Sequence, residues 1–327
     1  MDNLKSKIKE QLGYSLSDSP NEEILKIFSD KVDKHYRGKV RDNFYLEDKI
    51  VMVTSDRVSA FDHVLGTIPF KGEILTDIAN FWFDKTVDII DNHIISRPDP
   101  QVLVVKKASP LPVEVIVRGY ITGSLWRDYC NGKGNQYGFE LPHNLKKDQK
   151  FDHIIITPTT KEDYGLHDQP ISREEIINQG LVSKDIYESA EDVAIKLFNR
   201  GQEWADKMGL ILVDTKYEFG MVNNKLIVID EIHTPDSSRY WVKEGYEDRF
   251  NNGDSQKMLD KENIREWLLE KGFSGEGAPP ELSDNIRIYL AEQYMNLYKK
   301  LTNRKFEPSM GEVKNRICKN LESANIK

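Results

Sequence analysis

The chain has 327 residues, 46 Lys and Arg against 54 Asp and Glu, a formal charge of −8, and 39% apolar residues. That length suits one large or two smaller domains, the apolar fraction excludes disorder over most of the chain, and an acidic balance without a basic tail excludes a general nucleic-acid binder. Two distant cysteines, Cys130 and Cys318, without metal spacing exclude a disulfide framework and a structural zinc. No apolar run approaches the roughly 20 residues that span a bilayer, and the N-terminus carries too many acids for a secretory signal or transit peptide. Residence in the cytoplasm is therefore expected.

In chain order, a helix is predicted at about Glu22 to Asp30, after which Tyr36 to Ser55 reads as two short strands around a charged turn. Ile74, Ile78, Phe81, Trp82 and Val87 recur at helical spacing over Glu73 to Asp88. Strand-like runs follow at Val102–Val105 and Val113–Val117, with Pro98, Pro100, Pro110 and Pro112 as punctuation. The segment from Cys130 to Ser172 is polar and loop-like, and a loop of that length is expected to approach a substrate. Ser172 and Glu175 form a capping-box pattern, and Ser183 to Met208 is a long amphipathic helix with Ile186, Ala190, Val193, Leu197 and Trp204 on one face, stopped by Gly209. Leu210 to Asp214 and Leu226 to Asp230 read as arms of an antiparallel hairpin. Three helical patterns follow from about Ser255, interrupted by a flexible GFSGEGAPPELS linker.

Several constellations bear chemistry. Arg37, Lys39 and Arg41, if extended, share a strand face beside Gly38, which makes either a phosphate cradle or an exposed basic edge. Asp214, Lys216 and Glu218 fall on one face by period two, and the hairpin returns Asp230 and Glu231 alongside. Carboxylates converging near a lysine suit Mg²⁺ held between protein and nucleotide phosphates. A two-residue turn at Asn223-Asn224 sets Glu218 opposite Ile229 and turns Asp230 to the other face; a three-residue loop, or a bulge at Gly220, sets Glu218 opposite Asp230, and the second register is expected. Asp236, Ser238 and Arg239 in DEIHTPDSSRYW suit a phosphate or carboxylate, or alternatively a turn capping the next element. VRGYITGS, with Arg118 and Ser124, and TSDRVSAFD, with Arg57, Ser59 and Asp62, place Arg, Gly and Ser just after apolar strands. The seven histidines form no paired ligand spacing.

Together RGKVRD, SDRVSAFD, LPVEVIVRGYITGS, LVDTKYEFG and DEIHTPDSSRYW, in that order, resemble the motifs of the phosphoribosylaminoimidazole-succinocarboxamide synthase (SAICAR synthetase) family, and ITPTTKEDYGLHDQPIS resembles its longer-chain subtype. His233 and Asn43-Phe44 depart from the family pattern. The resemblance implies ATP-dependent ligation of L-aspartate to the carboxylate of carboxyaminoimidazole ribonucleotide (CAIR), giving SAICAR, ADP and phosphate through an acyl phosphate. It also implies an α+β, two-lobed fold of ATP-grasp or kinase-like type, with nucleotide in the cleft and a hinge near Ala108–Pro112. The expected division is an N-terminal extension over 1–35, a small β-rich ATP-binding lobe over 36–110, and a larger lobe over 111–327 that includes the C-terminal helices.

By the same resemblance, Gly38, Lys39 and Arg41 meet ATP phosphates, and Glu218 and Asp230 hold Mg²⁺ with Lys216 close by. Arg118, Ser124, Asp214, Asp236, Ser238 and Arg239 meet the ribonucleotide, and Arg57, Ser59 and Asp62 help form the pocket for ribonucleotide or aspartate. Lys39, Asp214 and Lys216 are the expected catalytic groups. The implied ligands are small molecules, with neither nucleic acid nor membrane as partner, and monomer or homo-oligomer is left open. Two other readings are a phosphotransferase, which would need a catalytic-loop base that is absent, and a non-catalytic nucleotide-binding module, which would be expected to lack Lys39, Glu218 or Asp230.

Overall fold

The computed structural model describes residues 2–61, 63–161, 168–259, 262–324 and 326. The chain divides into two compact units, one of residues 1–81, 93–107 and 260–327, the other of residues 82–92 and 108–259. The C-terminal helices thus belong with the N-terminal strands, whereas the sequence reading assigns them to the larger lobe. The fold is α+β, as expected.

In the first unit, helices α1 (Asp2–Gln11) and α2 (Asn21–Phe28) precede strands β1 (Lys34–Arg37), β2 (Arg41–Tyr45) and β3 (Lys49–Thr54). Three strands therefore stand where the sequence suggests two. A short hairpin follows, β4 (Arg57–Ala60) with β5 (His63–Thr67), then helix α3 (Lys71–Lys85), whose residues from Trp82 on count with the second unit, and strands β6 (Ile94–Asp99) and β7 (Val102–Lys106). The five-stranded sheet runs β1-β2-β3-β7-β6. Period-two alternation sends Phe44, Val51, Val53, Val102 and Val104 to one face, where Ile24 and Phe28 of α2 and Val313, Ile317 and Leu321 of the last helix cover them. Met52, Leu103 and Val105 form a second cluster. Both faces of these strands are thus apolar, which is why Val102–Val105 reads as an unbroken hydrophobic run.

The second unit is built on a six-stranded sheet. Its strands are β8 (Ser109–Tyr120), β9 (Lys150–Ile156), β10 (Thr159–Thr160), β11 (Leu210–Val222), β12 (Lys225–Ile229) and β13 (Ser238–Val242). The path runs β10-β8-β11-β12, with β9 also on β8 and β13 also on β11, so β11 is paired along both edges. Helices α4 (Gly123–Cys130), α5 (Arg173–Asn178), α6 (Lys184–Lys207) and α7 (Tyr246–Asn252) complete the unit. Ser172 and Glu175 form the expected capping box at α5. On α6 the buried stripe is Tyr187, Ala190, Ala194, Leu197, Phe198, Gly201 and Ala205, while Ile186, Val193 and Trp204 flank it half-buried. Gly201 stands where the sheet lies close: a Cβ there would fall 2.6 Å from Leu212 Cδ2 of β11.

Three expectations change. The Cys130 to Ser172 segment is not a bare loop: it contains β9, and Tyr137, Leu141 and Phe151 pack with Ile121 and Leu125. Pro110 and Pro112 lie inside β8 rather than ending it. The β11–β12 register is Glu218↔Ile229 with Val222↔Lys225, so the connection is the two-residue turn and not the longer one. Asn223 and Asn224 both take left-handed φ, 49° and 62°, as a type I′ turn requires, and that turn's twist matches the strands it joins. The bulge expected at Gly220 does exist, but it interrupts β11 against β8, leaving the β12 edge in register.

Replacing Asn224 by Ala should therefore cost about 1 kcal/mol, while Asn224→Gly should be neutral or stabilising. Urea unfolding of the two variants checks the difference, and equal losses would contradict the turn assignment.

Candidate active site

In the second unit, antiparallel pairing of β8 with β11 sets Asp214 opposite Arg118, Lys216 opposite Ile116 and Glu218 opposite Glu114. Two charged clusters result on one sheet face. In the first, Arg118 Nη1 donates to Asp214 Oδ2 at 3.1 Å, Arg239 Nη1 donates to the same oxygen, and Arg118 Nε donates to Thr157 Oγ1 at 2.7 Å. Arg118 Nη2 also reaches Ser124 Oγ, at the start of α4, at 3.4 Å. Arg118 and Asp214 are buried, and Arg239 is half-buried. Burial pulls the Arg118 guanidinium below its ordinary value, and the Asp214 carboxylate works against that shift. Gly123 stands beside this cluster with φ 59°, and a Cβ there would fall 2.4 Å from Arg239 Nη2, so only glycine lets the Arg239 fork lie against the backbone.

In the second cluster, Lys216 Nζ donates to Glu114 Oε1 at 2.5 Å and to Glu218 Oε1 at 2.9 Å, and Lys161 Nζ donates to Glu218 Oε2. Burial by itself would raise the Glu218 carboxyl, but the Lys216 and Lys161 ammonium groups bring it below its ordinary value. Burial raises Glu114, with Lys216 partly opposing. Burial would lower Lys216, yet the carboxylates of Glu218, Glu114 and Asp230 carry it well above the ordinary lysine value. Both lysines feel the Asp230 charge. Asp230 follows β12 with φ 66°, a left-handed turn that takes the chain out of strand geometry directly after Ile229.

The loop over 230–237 is held from within and at its entry to β13. Thr234 Oγ1 donates to Glu231 and accepts from the backbone N–H groups of Asp236 and Ser237, and Ser238 Oγ pairs with Thr215 Oγ1 at 2.6 Å. His233, also left-handed at φ 55°, is fully buried against Trp82, and its Nε2 lies 2.5 Å from Tyr217 Oη. Burial drives the His233 imidazole down to about 3.

In the first unit, Gly38, Lys39 and Val40 form the turn between β1 and β2, closed by Gly38 N–H donating to Arg41 C=O at 2.7 Å. Arg37, Lys39 and Arg41 therefore do not line one strand face: Arg37 ends β1 and pairs with Asp18, Lys39 lies exposed in the turn, and half-buried Arg41 starts β2. Ser59 lies half-buried in β4, and Asp62 falls outside the described residues. Arg57 is 1% exposed and has all its hydrogen bonds inside the protein, so it is not an open pocket residue.

Glu114, Lys161 and Thr157 belong to the clusters and are missed by the sequence reading. Glu114 had a signal, a lone acid inside a strand-like apolar run. Lys161 and Thr157 lie within the ITPTTKEDYGLHDQPIS stretch, but nothing in it singles them out, because pairing across strands, not spacing along the chain, brings them in. Among the described residues no group of three or more His, Cys, Asp or Glu could hold a metal ion. A site of one or two ionised carboxylates still fits Mg²⁺, which takes its remaining ligands from phosphate oxygens and water.

Fixed guanidinium forks beside one carboxylate, and ammonium groups against two others, define an α+β enzyme site suited to phosphorylated and carboxylate-bearing ligands. The family model described as SAICAR synthetase matches residues 34–280. The phosphoribosylaminoimidazole-succinocarboxamide synthase of Cytophaga hutchinsonii is 47% identical over 88% of this chain and 94% of its own length, and that of Bacteroides fragilis is 48% identical over 88% and 93%. The solved SAICAR synthase of Saccharomyces cerevisiae complexed with SAICAR superposes with a TM-score of 0.77 at 31% identity, covering 90% of this chain and 100% of that one. A solved SAICAR synthetase in complex with ADP superposes with a TM-score of 0.65 at 26% identity, covering 84% of this chain and 100% of that one. The chain belongs to the SAICAR synthetase family.

Two outcomes follow from the clusters. Asp214→Asn leaves two guanidinium groups facing each other without a counter-charge and should cost about 3 kcal/mol of stability in urea unfolding. Glu218, with its lowered carboxyl, contributes stability above the ordinary value of 4.5 and loses it as pH falls through the lower folded value. The stability gap between the protein and Glu218→Gln should therefore stay level from about pH 6 to 8 and narrow in acid, and a gap that widens in acid would contradict the assigned ionisation.

Proposed function

We propose that the two clusters and the Gly38–Lys39 turn divide the work of the family's reaction among them. That reaction is ADP-forming amide ligation in purine biosynthesis: ATP activates the CAIR carboxylate as an acyl phosphate, and the amine of L-aspartate displaces phosphate to give SAICAR. A free carboxylate is a poor acceptor for an amine, so the protein's task is to place three anionic ligands and offset their charge where phosphoryl transfer occurs. The observation that carries the reading is that residues 34–280, matched by the family model, include every member of both clusters and of the turn. The SAICAR and ADP complexes of the two solved relatives support the same ligand classes.

In this proposal Arg118, Ser124 and Arg239 hold the phosphate end of the ribonucleotide. Asp214 orients the two arginines, since its carboxylate is committed to both, and Ser238 and Asp236 line the same loop. Gly38, Lys39 and Arg41 take the ATP phosphates, and Ser59 and Asp62 have the role of helping to form the pocket for ribonucleotide or aspartate. Glu218 and Asp230 supply the Mg²⁺ ligands. Mg²⁺, when bound there, offsets phosphate charge. Lys216 and Lys161 keep Glu218 ionised, and Lys216 sets a fixed cation beside the acids. The reaction is placed in the cytoplasm, where two unpaired thiols fit a reducing compartment; among the described residues no helix is long and apolar enough to cross a membrane.

The test is ADP release with Mg-ATP and CAIR, with and without L-aspartate, and with product mass. ADP formation that requires all three and yields the succinocarboxamide supports ligation, whereas release without aspartate points to a phosphotransferase. Asp230→Asn removes a charge at constant volume and should lower kcat by at least about 100-fold in a folded protein. Near-normal turnover would remove Asp230 from the site.

A further inference from the structure

Arg57 lies in SDRVSAFD, yet the structure turns it inward. Its Nε donates to Lys39 C=O at 3.0 Å, and Nη2 donates to Gly38 C=O at 3.0 Å and to Asp42 Oδ1 at 2.6 Å. Nη1 donates to Ser17 C=O at 2.5 Å and to Asp42 Oδ2 at 3.4 Å. These bonds use the whole donor set of a guanidinium, and two of them hold the adjacent carbonyls of the β1–β2 turn. Asp42, also 1% exposed, takes the Ser19 hydroxyl at 2.5 Å and the Ser19 N–H at 3.3 Å. Next along the chain, Asp56 accepts from the N–H groups of Leu16 at 2.6 Å and Gly72 at 2.9 Å. Residues 16–19, which precede the stretch matched by the family model, thus close a buried polar cage beneath the Gly38–Lys39 turn.

A buried ion pair is costly unless geometry and hydrogen bonding are complete, and here they are complete only with the turn in this one conformation. We propose that Arg57 and Asp42 are positioning residues for nucleotide binding: they fix the Gly38–Lys39 turn, and the N-terminal extension takes part through Ser17 and Ser19. This rests on the reading that the turn meets the ATP phosphates, and it replaces the expected contact of Arg57 with substrate. A lysine at position 57 keeps the charge but cannot bond both carbonyls and the carboxylate as a planar fork does.

The experiment measures affinity for ATP, for adenosine and for CAIR by calorimetry on the full chain, in Ser19→Ala, Arg57→Lys and Lys39→Ala, with thermal unfolding to confirm that each is folded. Ser19→Ala is the mild variant that keeps the test open if Arg57→Lys fails to fold. Misplacing the turn should weaken ATP by about 5- to 50-fold in both cage variants, leave adenosine and CAIR within about twofold, and add little in an Lys39→Ala background. Equal weakening of ATP, adenosine and CAIR would show a merely structural role and overturn the proposal. Wild-type ATP affinity in folded Ser19→Ala and Arg57→Lys, with ATP binding lost in Lys39→Ala, would overturn it while leaving the phosphate reading in place. Unchanged ATP affinity in Lys39→Ala would overturn both.

Discussion

Charge can sit on a protein's interior face only where an opposite charge and a full set of hydrogen bonds meet it, and β11 is organised around that constraint. Along one face it carries Asp214, Lys216 and Glu218, and β8 answers with Arg118 and Glu114. Neither strand could hold its charges alone. Because β11 is also paired with β12 and β13 on its other edge, the face is held on both sides, and the loop over 230–237 must leave and rejoin that same edge. The two left-handed residues of the loop, Asp230 and His233, are the cost of that path. Fully buried His233 and Tyr217 anchor it from below.

Most of the elements were legible in the sequence because their signals are local. The capping box at Ser172, the stop at Gly209 after α6, and the apolar runs of β7 and β12 depend on residues a few positions apart. The site was legible as a set of motifs rather than as a geometry. Asp214, Lys216 and Glu218 could be placed on one face by counting twos, but their partners arrive from β8 and from Lys161, which no spacing announces. The hairpin register shows the limit most clearly: Gly220 did signal a bulge, and nothing along the chain says which of two edges a bulge disrupts.

Arg57 illustrates a different limit. An arginine after an apolar strand, inside a polar motif, reads as a ligand contact, since arginine is expensive to bury. Burial became tolerable because Asp42 and three carbonyls, two of them from the turn and one from Ser17, were all within reach. Of these only Asp42 is an acid that a sequence pattern could flag. Backbone carbonyls are present everywhere, so their use as an arginine cage is visible only in the fold.

The way the first unit is assembled has a consequence for synthesis. The Gln11 side-chain amide and the Gly311 backbone bond each other both ways across 300 positions, and Arg316 reaches Asp99 across 217. Val313, Ile317 and Leu321 cover a sheet whose strands are complete by residue 106. On the ribosome, residues 108–259 emerge and can close around their own core while Phe44, Val51 and Val104 still lack part of their cover. The nascent chain thus carries an incompletely covered apolar sheet until residues 313–321 arrive, an interval in which slowed elongation would favour aggregation over folding.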